Sequence, residues 1–324
     1  MKIDLQAFEV WESLNGAVAD ILAKPPGHIL RCYPGLGLGL FELAVGTAHF
    51  YSHKKSVGLV EGATPYFQAV LPYLYREGFQ VQVAPGHNDW KGWVESLSKD
   101  TGFVMVCEDH AVTGEIYDID ELDRSLNERK IFCLRVSHHT HFSTTSDLRP
   151  YSARLCSFDP ITSVAFLGSK WKSPPLAVSL MSWEPHQFLS RLQRVKSAYA
   201  EDRSLVQNFE RNLPEGFSAL LQTSSRCFDR ALIYSESTNG EALLQFLSSA
   251  LGQGLSSPGL EARIETTSLC RWGGTKSYDL WWKPRPAESI LRGLLILDAE
   301  VLKHSQIKAL LEQALRECQI AELG

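Results

Sequence analysis

What most constrains this chain is a set of short segments that stay apolar on almost every residue. Gly102-Phe-Val-Met-Val-Cys107 and Ile131-Phe-Cys-Leu-Arg-Val136 lack the in–out alternation of a half-exposed strand. A strand of that kind must be covered on both faces, which is the situation in a parallel sheet flanked by helices. Strands are predicted at 28–33, 57–61, 79–83, 102–108, 131–136 and 163–167, with a further one at 177–181. Helical periodicity falls between them, at 5–23, 40–51, 64–75, 90–98 and 120–127. Strands and helices in alternation, joined by crossovers, define an α/β domain.

Past residue 184 the pattern changes. A long polar helix is expected at 186–209, then a strand at 230–234, a helix at 240–251, strands at 261–267, 278–282 and 291–297, and a final amphipathic helix at 305–322. The expected organisation is an N-terminal helical segment (1–30), a large α/β domain (31–185), and a long linking helix leading into a smaller α+β domain (186–324).

Composition excludes some partners. The 324 residues are 44% hydrophobic and 21% charged, which is ordinary for a globular protein. A net charge of -5 gives no bulk attraction for nucleic acid or an anionic membrane. No run of about 18 apolar residues offers a membrane span. The start, Met1-Lys-Ile-Asp, lacks a basic segment followed by an apolar signal core. The seven cysteines are scattered without a C-x-x-C pair, the pattern of reduced, mostly buried thiols in a cytoplasmic protein.

Two stretches carry candidate chemistry. Ile161-Thr-Ser-Val-Ala-Phe-Leu-Gly-Ser-Lys170-Trp-Lys172-Ser-Pro-Pro175 reads as a buried strand that ends abruptly in Gly-Ser-Lys. Burial disfavours the charged form of an amine, and a neutral lysine amine makes a Schiff base with an aldehyde. The alternative is that Lys170 and Lys172 only snorkel at a strand end. Gly35-Leu-Gly-Leu-Gly39 follows a strand and opens a helix, where backbone N–H groups and the helix dipole favour an anion. Its G-x-G-x-G spacing is not the dinucleotide fingerprint, and Glu61 comes slightly late for the ribose acid. That leaves a single phosphate group, or a tight turn with no ligand.

With these two stretches in order around the alternating elements, the chain resembles the pyridoxal-phosphate-dependent aminotransferases of the aspartate aminotransferase fold (fold type I). The matching segments are Gly35 to Ala48, Val57 to Tyr66 with its Thr-Pro65-Tyr66, Val104 to Leu122, Ser163 to Pro175, Arg271-Trp-Gly-Gly274 with Asp279 to Trp282, and Leu291-Arg292-Gly-Leu. The resemblance implies a mostly parallel, seven-stranded-type sheet sandwiched by helices, a smaller C-terminal α+β domain, and pyridoxal 5'-phosphate as cofactor. It implies Lys170 as the catalytic, Schiff-base lysine. It places Gly37, Leu38, Gly39, Tyr66, Ser137, His139, Ser169 and Lys172 at the cofactor and Arg292 at a substrate carboxylate. The implied activity is an aminotransferase-like reaction on an amino acid or amine, in a homodimer.

The departures from the pattern are specific. The family's asparagine falls near Ala111, and the aspartate that pairs with the pyridine nitrogen should end the strand at 131–136, where Arg135, Val136, Ser137, His138 and His139 stand. Ser137 or a neutral histidine is then left to hydrogen-bond the nitrogen. A second reading follows, in which the protein has lost the cofactor and binds a ligand or partner without turnover.

Other groups have open readings. His138-His139-Thr-His141 is either a polar loop over the sheet's edge, part of a ligand pocket, or, with Asp109, His110 or Asp147, a metal site; no metal is assigned. Glu108-Asp109-His110 also ends a strand at that edge and is either part of it or only a solvated strand exit. Tyr66 either stacks on a ring or belongs to the core. Arg292, in an apolar strand, needs a partner, either a buried acid or a substrate carboxylate.

Overall fold

The computed structural model describes residues 5–22, 29–60, 65–84, 90–110, 113–138, 148–159, 162–171, 185–220, 226–227, 230–252, 264–265, 290 and 292–322. The chain divides into two compact units, residues 1–197 and 198–324.

The first unit is built on a seven-stranded sheet in the order β1-β7-β6-β5-β4-β2-β3. Its strands are β1 (Ile29–Tyr33), β2 (Ser56–Val60), β3 (Gln80–Ala84), β4 (Thr101–Cys107), β5 (Phe132–Ser137), β6 (Ser152–Asp159) and β7 (Thr162–Leu167). β3, β2, β4, β5 and β6 pair in parallel. β7 runs antiparallel to both β6 and β1. The apolar segments that demanded double cover lie at the centre: every residue of β4 and β5 is buried.

Helices cover both faces. They are α1 (Leu5–Leu22), α2 (Leu36–Phe50), α3 (Pro65–Arg76), α4 (Trp90–Ser96), α5 (Asp120–Glu128) and α6 (Pro185–Arg211). On one face, Leu40 and Leu43 of α2 and Phe67 and Val70 of α3 pack on Phe103, Met105, Leu134 and Leu155. On the other, α4 and α5 bury Trp93, Leu122 and Leu126 against Val104, Val106 and Cys133. Beside them α1 and α6 bury Leu14, Val18, Phe188 and Leu192 against Val164 and Phe166. The N-terminal helix is thus part of this unit's core. Each face takes alternate residues of a strand, as the pleat requires.

The strand β6 was not expected from the sequence. Ser152-Ala-Arg-Leu-Cys-Ser-Phe-Asp159 carries an arginine and three hydroxyl or acidic residues. Arg154 is 3% exposed. It is held by Glu108, whose two oxygens each accept at 2.6 Å, one from Arg154 Nε and one from Arg135 Nε. Arg135 Nη1 continues to Asp123 at 3.2 Å. Asp123 in turn accepts from Ser152 Oγ at the start of β6. β6 therefore enters the core through a salt-bridge network as well as through Ala153, Leu155, Cys156 and Phe158, and its buried arginine and serine break up the apolar run that marks β4 and β5.

The extra strand reverses the one after it. β7 runs back, so Gly168, Ser169 and Lys170 leave it at the edge where the parallel strands begin. Gly168 N–H donates to the Ser152 carbonyl at 2.8 Å and Lys170 N–H to the Pro150 carbonyl at 3.0 Å. A Cβ on Gly168 would lie 2.4 Å from the Arg149 carbonyl oxygen, so only glycine lets the two backbones pass. Trp171 then buries its ring on Phe132, centroids 5.2 Å apart. The glycine and the tryptophan of Gly-Ser-Lys-Trp are explained by this docking.

The second unit carries a four-stranded antiparallel sheet, β10-β11-β9-β8, from β8 (Ser218–Ala219), β9 (Arg230–Tyr234), β10 (Ile264–Glu265) and β11 (Leu294–Asp298). Helices α7 (Gly240–Gly252), α8 (Ala299–Leu302) and α9 (Ile307–Glu322) complete it. Leu243, Leu247 and Leu311 pack on Ile233, Leu295 and Leu297. Residues 177–181 and 278–282, expected as strands, lie outside the described residues. Among the described helices none is long and apolar enough to cross a membrane. The six described cysteines are buried and form no disulfide.

The Glu108 network yields a stability prediction. Replacing Glu108 by alanine removes the carboxylate that bridges two buried guanidiniums and should cost about 3–5 kcal/mol in urea unfolding. Burial alone would raise the Glu108 carboxyl, but Arg154 and Arg135 together hold it below its usual value. A carboxyl depressed in the folded state is more protonated in the unfolded one. Its stabilisation is present above the unfolded value of about 4.3 and is lost as pH falls. Asp123, raised chiefly by burial, has the opposite sign: its contribution is present at low pH and lost as pH rises. Glu108→Gln should therefore remove the acid-side loss attributable to Glu108 in unfolding midpoints measured between pH 3 and 6.

Candidate functional site

In an open parallel sheet the carboxyl ends of the strands form the natural ligand edge. Here that edge is formed by the ends of β1, β2, β4, β5 and β6, and by the first turns of the helices that follow.

β1 feeds Pro34 and Gly35 into α2. Gly35 sits at φ 108°, a left-handed conformation that favours glycine, and caps the helix without a side-chain bond. Its successors Gly37, Leu38 and Gly39 form the first turn. Gly39 is closed in by Tyr33 and Leu155, whereas Leu38 is exposed. Tyr66, in the first turn of α3, lies against Gly37: a Cβ there would be 3.2 Å from the Tyr66 ring. Tyr66 also meets His138, just past β5, with ring centroids 6.2 Å apart and planes 20° from parallel.

His138 is anchored by a residue absent from the sequence-based site. Asp109, just past β4, is fully buried. One of its oxygens accepts from the backbone N–H of His138 and from His138 Nδ1, both at 2.8 Å, and the other accepts from Ser137 Oγ at 3.0 Å. The backbone beyond it turns tightly. His110 N–H bonds to the Glu115 carbonyl at 2.8 Å, His110 Nδ1 accepts from Thr113 N–H at 3.1 Å, and Asp109 bridges to Ile116. Glu108, Asp109 and His110 are 5%, 0% and 2% exposed. The expectation of a solvated exit is therefore corrected: the two acids are drawn inward, Glu108 by Arg135 and Arg154 and Asp109 by Ser137 and His138. Their charge also acts on Cys107, whose thiol is pushed up by burial and then by Asp109 and Glu108.

The structure brings together Gly37, Tyr66 and Ser137 of the sequence-based site and adds Asp109 and His138. It does not bring Lys170 or Ser169 to them. Both are exposed at the opposite edge, one β7 length away, because β7 is antiparallel. A desolvated, nucleophilic Lys170 at a strand's carboxyl edge is thereby replaced by a solvated lysine in a docking turn. Ser137 departs from its expected part as well, since its hydroxyl proton goes to Asp109. Arg292 is exposed just before β11 in the second unit, not buried within an apolar strand. His139, His141, Asp147, Lys172 and Ala111 lie outside the described residues. Among the described residues no group of three or more His, Cys, Asp or Glu side chains is placed to hold a metal.

No protein-family model matches the chain. No curated protein matches it in sequence. Its architecture does match solved structures. A NifS-like protein superposes with a TM-score of 0.68 at 12% identity, covering 100% of this chain and 90% of its own. A sphingosine-1-phosphate lyase from Burkholderia pseudomallei K96243 gives 0.64 at 11% identity over 99% of this chain and 79% of its own. PseC of Helicobacter pylori, an aminotransferase involved in the biosynthesis of pseudoaminic acid, gives 0.55 at 12% identity over 99% and 97%. The chain has the fold of the pyridoxal-phosphate-dependent enzymes of fold type I.

Among the described residues that follow β1, β2, β4 and β5 at this edge, namely 34–35, 108–110, 113–119 and 138, and in the first turns of α2, α3 and α5, no lysine stands to attach that cofactor covalently; the first turn of α4, after β3, carries the exposed Lys91.

The buried role of Ser137 is open to test against its counterpart at the far edge. Ser137→Ala removes a donor from a fully buried carboxylate and should cost about 1–3 kcal/mol, whereas Ser169→Ala should leave the thermal midpoint unchanged.

Proposed function

We propose that this protein is a fold-type-I member that holds a small ligand at the carboxyl edge of its large sheet without a Schiff base to a lysine of that unit. The observation that carries this reading is that no described residue around Gly37, Tyr66, Asp109, Ser137 and His138 at that edge is a lysine, together with Lys170 at the other edge. The remaining groups are those of a noncovalent site: a glycine-rich helix start, the Tyr66 ring, and a buried carboxylate that holds Ser137 and His138. Anions suit the helix start, and an aromatic face suits a planar or apolar ligand.

A second reading, an aminotransferase-like enzyme acting on an amino acid or amine, is favoured by Asp109. It supplies from β4 a buried acid that the end of β5 lacks. That reading needs a lysine other than Lys170, such as Lys172, Lys276 or Lys283, which lie outside the described residues.

Absorbance and chemical trapping separate the two. Protein incubated with pyridoxal phosphate, reduced with borohydride and digested should show no stoichiometric modification of any one lysine. Lys170→Ala should leave the spectrum of the mixture unchanged. A visible band lost in Lys170→Ala, or one lysine trapped at one equivalent per chain, would overturn the proposal.

A further inference from the structure

The amino edge of the large sheet has its own charge. Residues 51–55, 77–79, 97–100, 129–131 and 148–151 enter β2, β3, β4, β5 and β6 there, and 168–171 leave β7. These described turns hold seven lysines and arginines against two acids, Glu77 and Asp100. The last turns of α3, α4 and α5 add Arg76, Glu95 and Glu128, so eight cations face four acids in all. The whole chain stands at -5, and that average hides the local excess. In sheet order each strand from β7 through β6, β5 and β4 to β2 has at least one of these cations at this edge. With strands about 4.8 Å apart, they form a row about 19 Å long.

Cations at this edge have an ordinary use, since helices end here and their last carbonyls are partly negative. That use covers only part of the row. Arg129 donates to the Val94 and Leu97 carbonyls at the end of α4. Lys55 Nζ donates to the Glu77 carbonyl past α3 at 3.0 Å, and Lys54 Nζ to the Thr101 carbonyl at 3.2 Å. A carbonyl holds a cation in place without cancelling its charge. Lys99, Lys130 and Lys170 are exposed, and among the described residues their side chains meet neither a carbonyl nor an acid. Lys130 is also strained. Among the described residues it is the one non-glycine at positive φ, 57°, just past α5, where a helix commonly ends on glycine.

Two exposed rings border the row. Phe50 ends α2 and Tyr75 stands in the last turn of α3, 40% and 57% exposed, and both helices cover the same face of the sheet. We propose that this edge binds a single-stranded polynucleotide, its phosphates along the row from Lys170 to Lys55 and its bases on Tyr75 and Phe50. Held cations beside exposed aromatic faces are what such a strand uses, because every base has a π-face to stack. An acidic peptide would answer the cations and leave the rings unused. This site is separate from the ligand edge and does not depend on the chemistry there.

Fluorescence anisotropy of the full-length protein with labelled oligothymidylate and oligouridylate, each about twenty nucleotides long, tests it. Both should bind at about 0.1 M salt, with log affinity falling against log salt at a slope of about -3, the value for four phosphates. Lys99→Gln combined with Lys170→Gln should weaken binding about tenfold and make the slope shallower by about 1.4. Tyr75→Ala should weaken it about tenfold with the slope unchanged. Lys130→Gly should act in two directions: binding falls, while relief of the strained position raises the thermal midpoint by about 2 °C. Lys308→Gln, in the second unit, should change neither. Failure of both oligonucleotides to bind, an unchanged slope in the double variant, wild-type binding by Tyr75→Ala or Lys130→Gly, or equal displacement by poly-L-glutamate overturns the proposal.

Discussion

Two guanidiniums on neighbouring strands, Arg135 and Arg154, share the single buried carboxylate of Glu108. Three strands are thereby joined through side chains as well as through the backbone ladder. That carboxylate offsets the cost of holding Arg154 inside the sheet, since removing one partner of a buried ion pair costs several kcal/mol. With it, β6 becomes an interior strand despite its polar residues. The chain must then return through β7 to reach β1, and it does so antiparallel. The direction of β7 sets which loops meet at the carboxyl edge and sends Gly168, Ser169 and Lys170 to the other.

The next residue uses the same strand end differently. Side chains alternate across a strand, so Glu108 continues the face of Val104 and Val106, and Asp109 that of Met105 and Cys107. Glu108 meets the arginines and Asp109 meets Ser137 and His138. His138 shares its face with Leu134 and Val136 and so stands where α3 presents Tyr66. A pair of adjacent acids thus supports the sheet on one side and equips its edge on the other.

The sequence reveals most where burial is complete and apolar. β4, β5 and the helices around them follow from segments that only double cover can explain. β6 was hidden because part of its burial is offset by charge pairing, so Ser152, Arg154 and Ser157 interrupt the apolar residues Ala153, Leu155, Cys156 and Phe158. That one omission moved Lys170 across the sheet: with β6 unread, β7 looked like another parallel strand and its end like a ligand edge. A signal was nonetheless present. Arg135 stands inside an apolar strand and needs a partner, just as was inferred for Arg292. The neighbouring strand ends in two acids, Glu108 and Asp109. Pairing across those strands would have drawn both acids inward, whereas read alone they suggest a solvated exit.

The fold alone does not supply the chemistry of a covalently held cofactor. A parallel sheet makes a receptive edge through backbone geometry: helix starts and strand ends converge there whatever side chains they carry. Covalent cofactor chemistry asks more, namely one amine at that edge, kept neutral by its surroundings. A turn that docks its glycine against residues 149–152 cannot also place the following lysine there, since the two requirements lie at opposite ends of β7. What the edge does hold is a desolvated acid with an imidazole oriented on it.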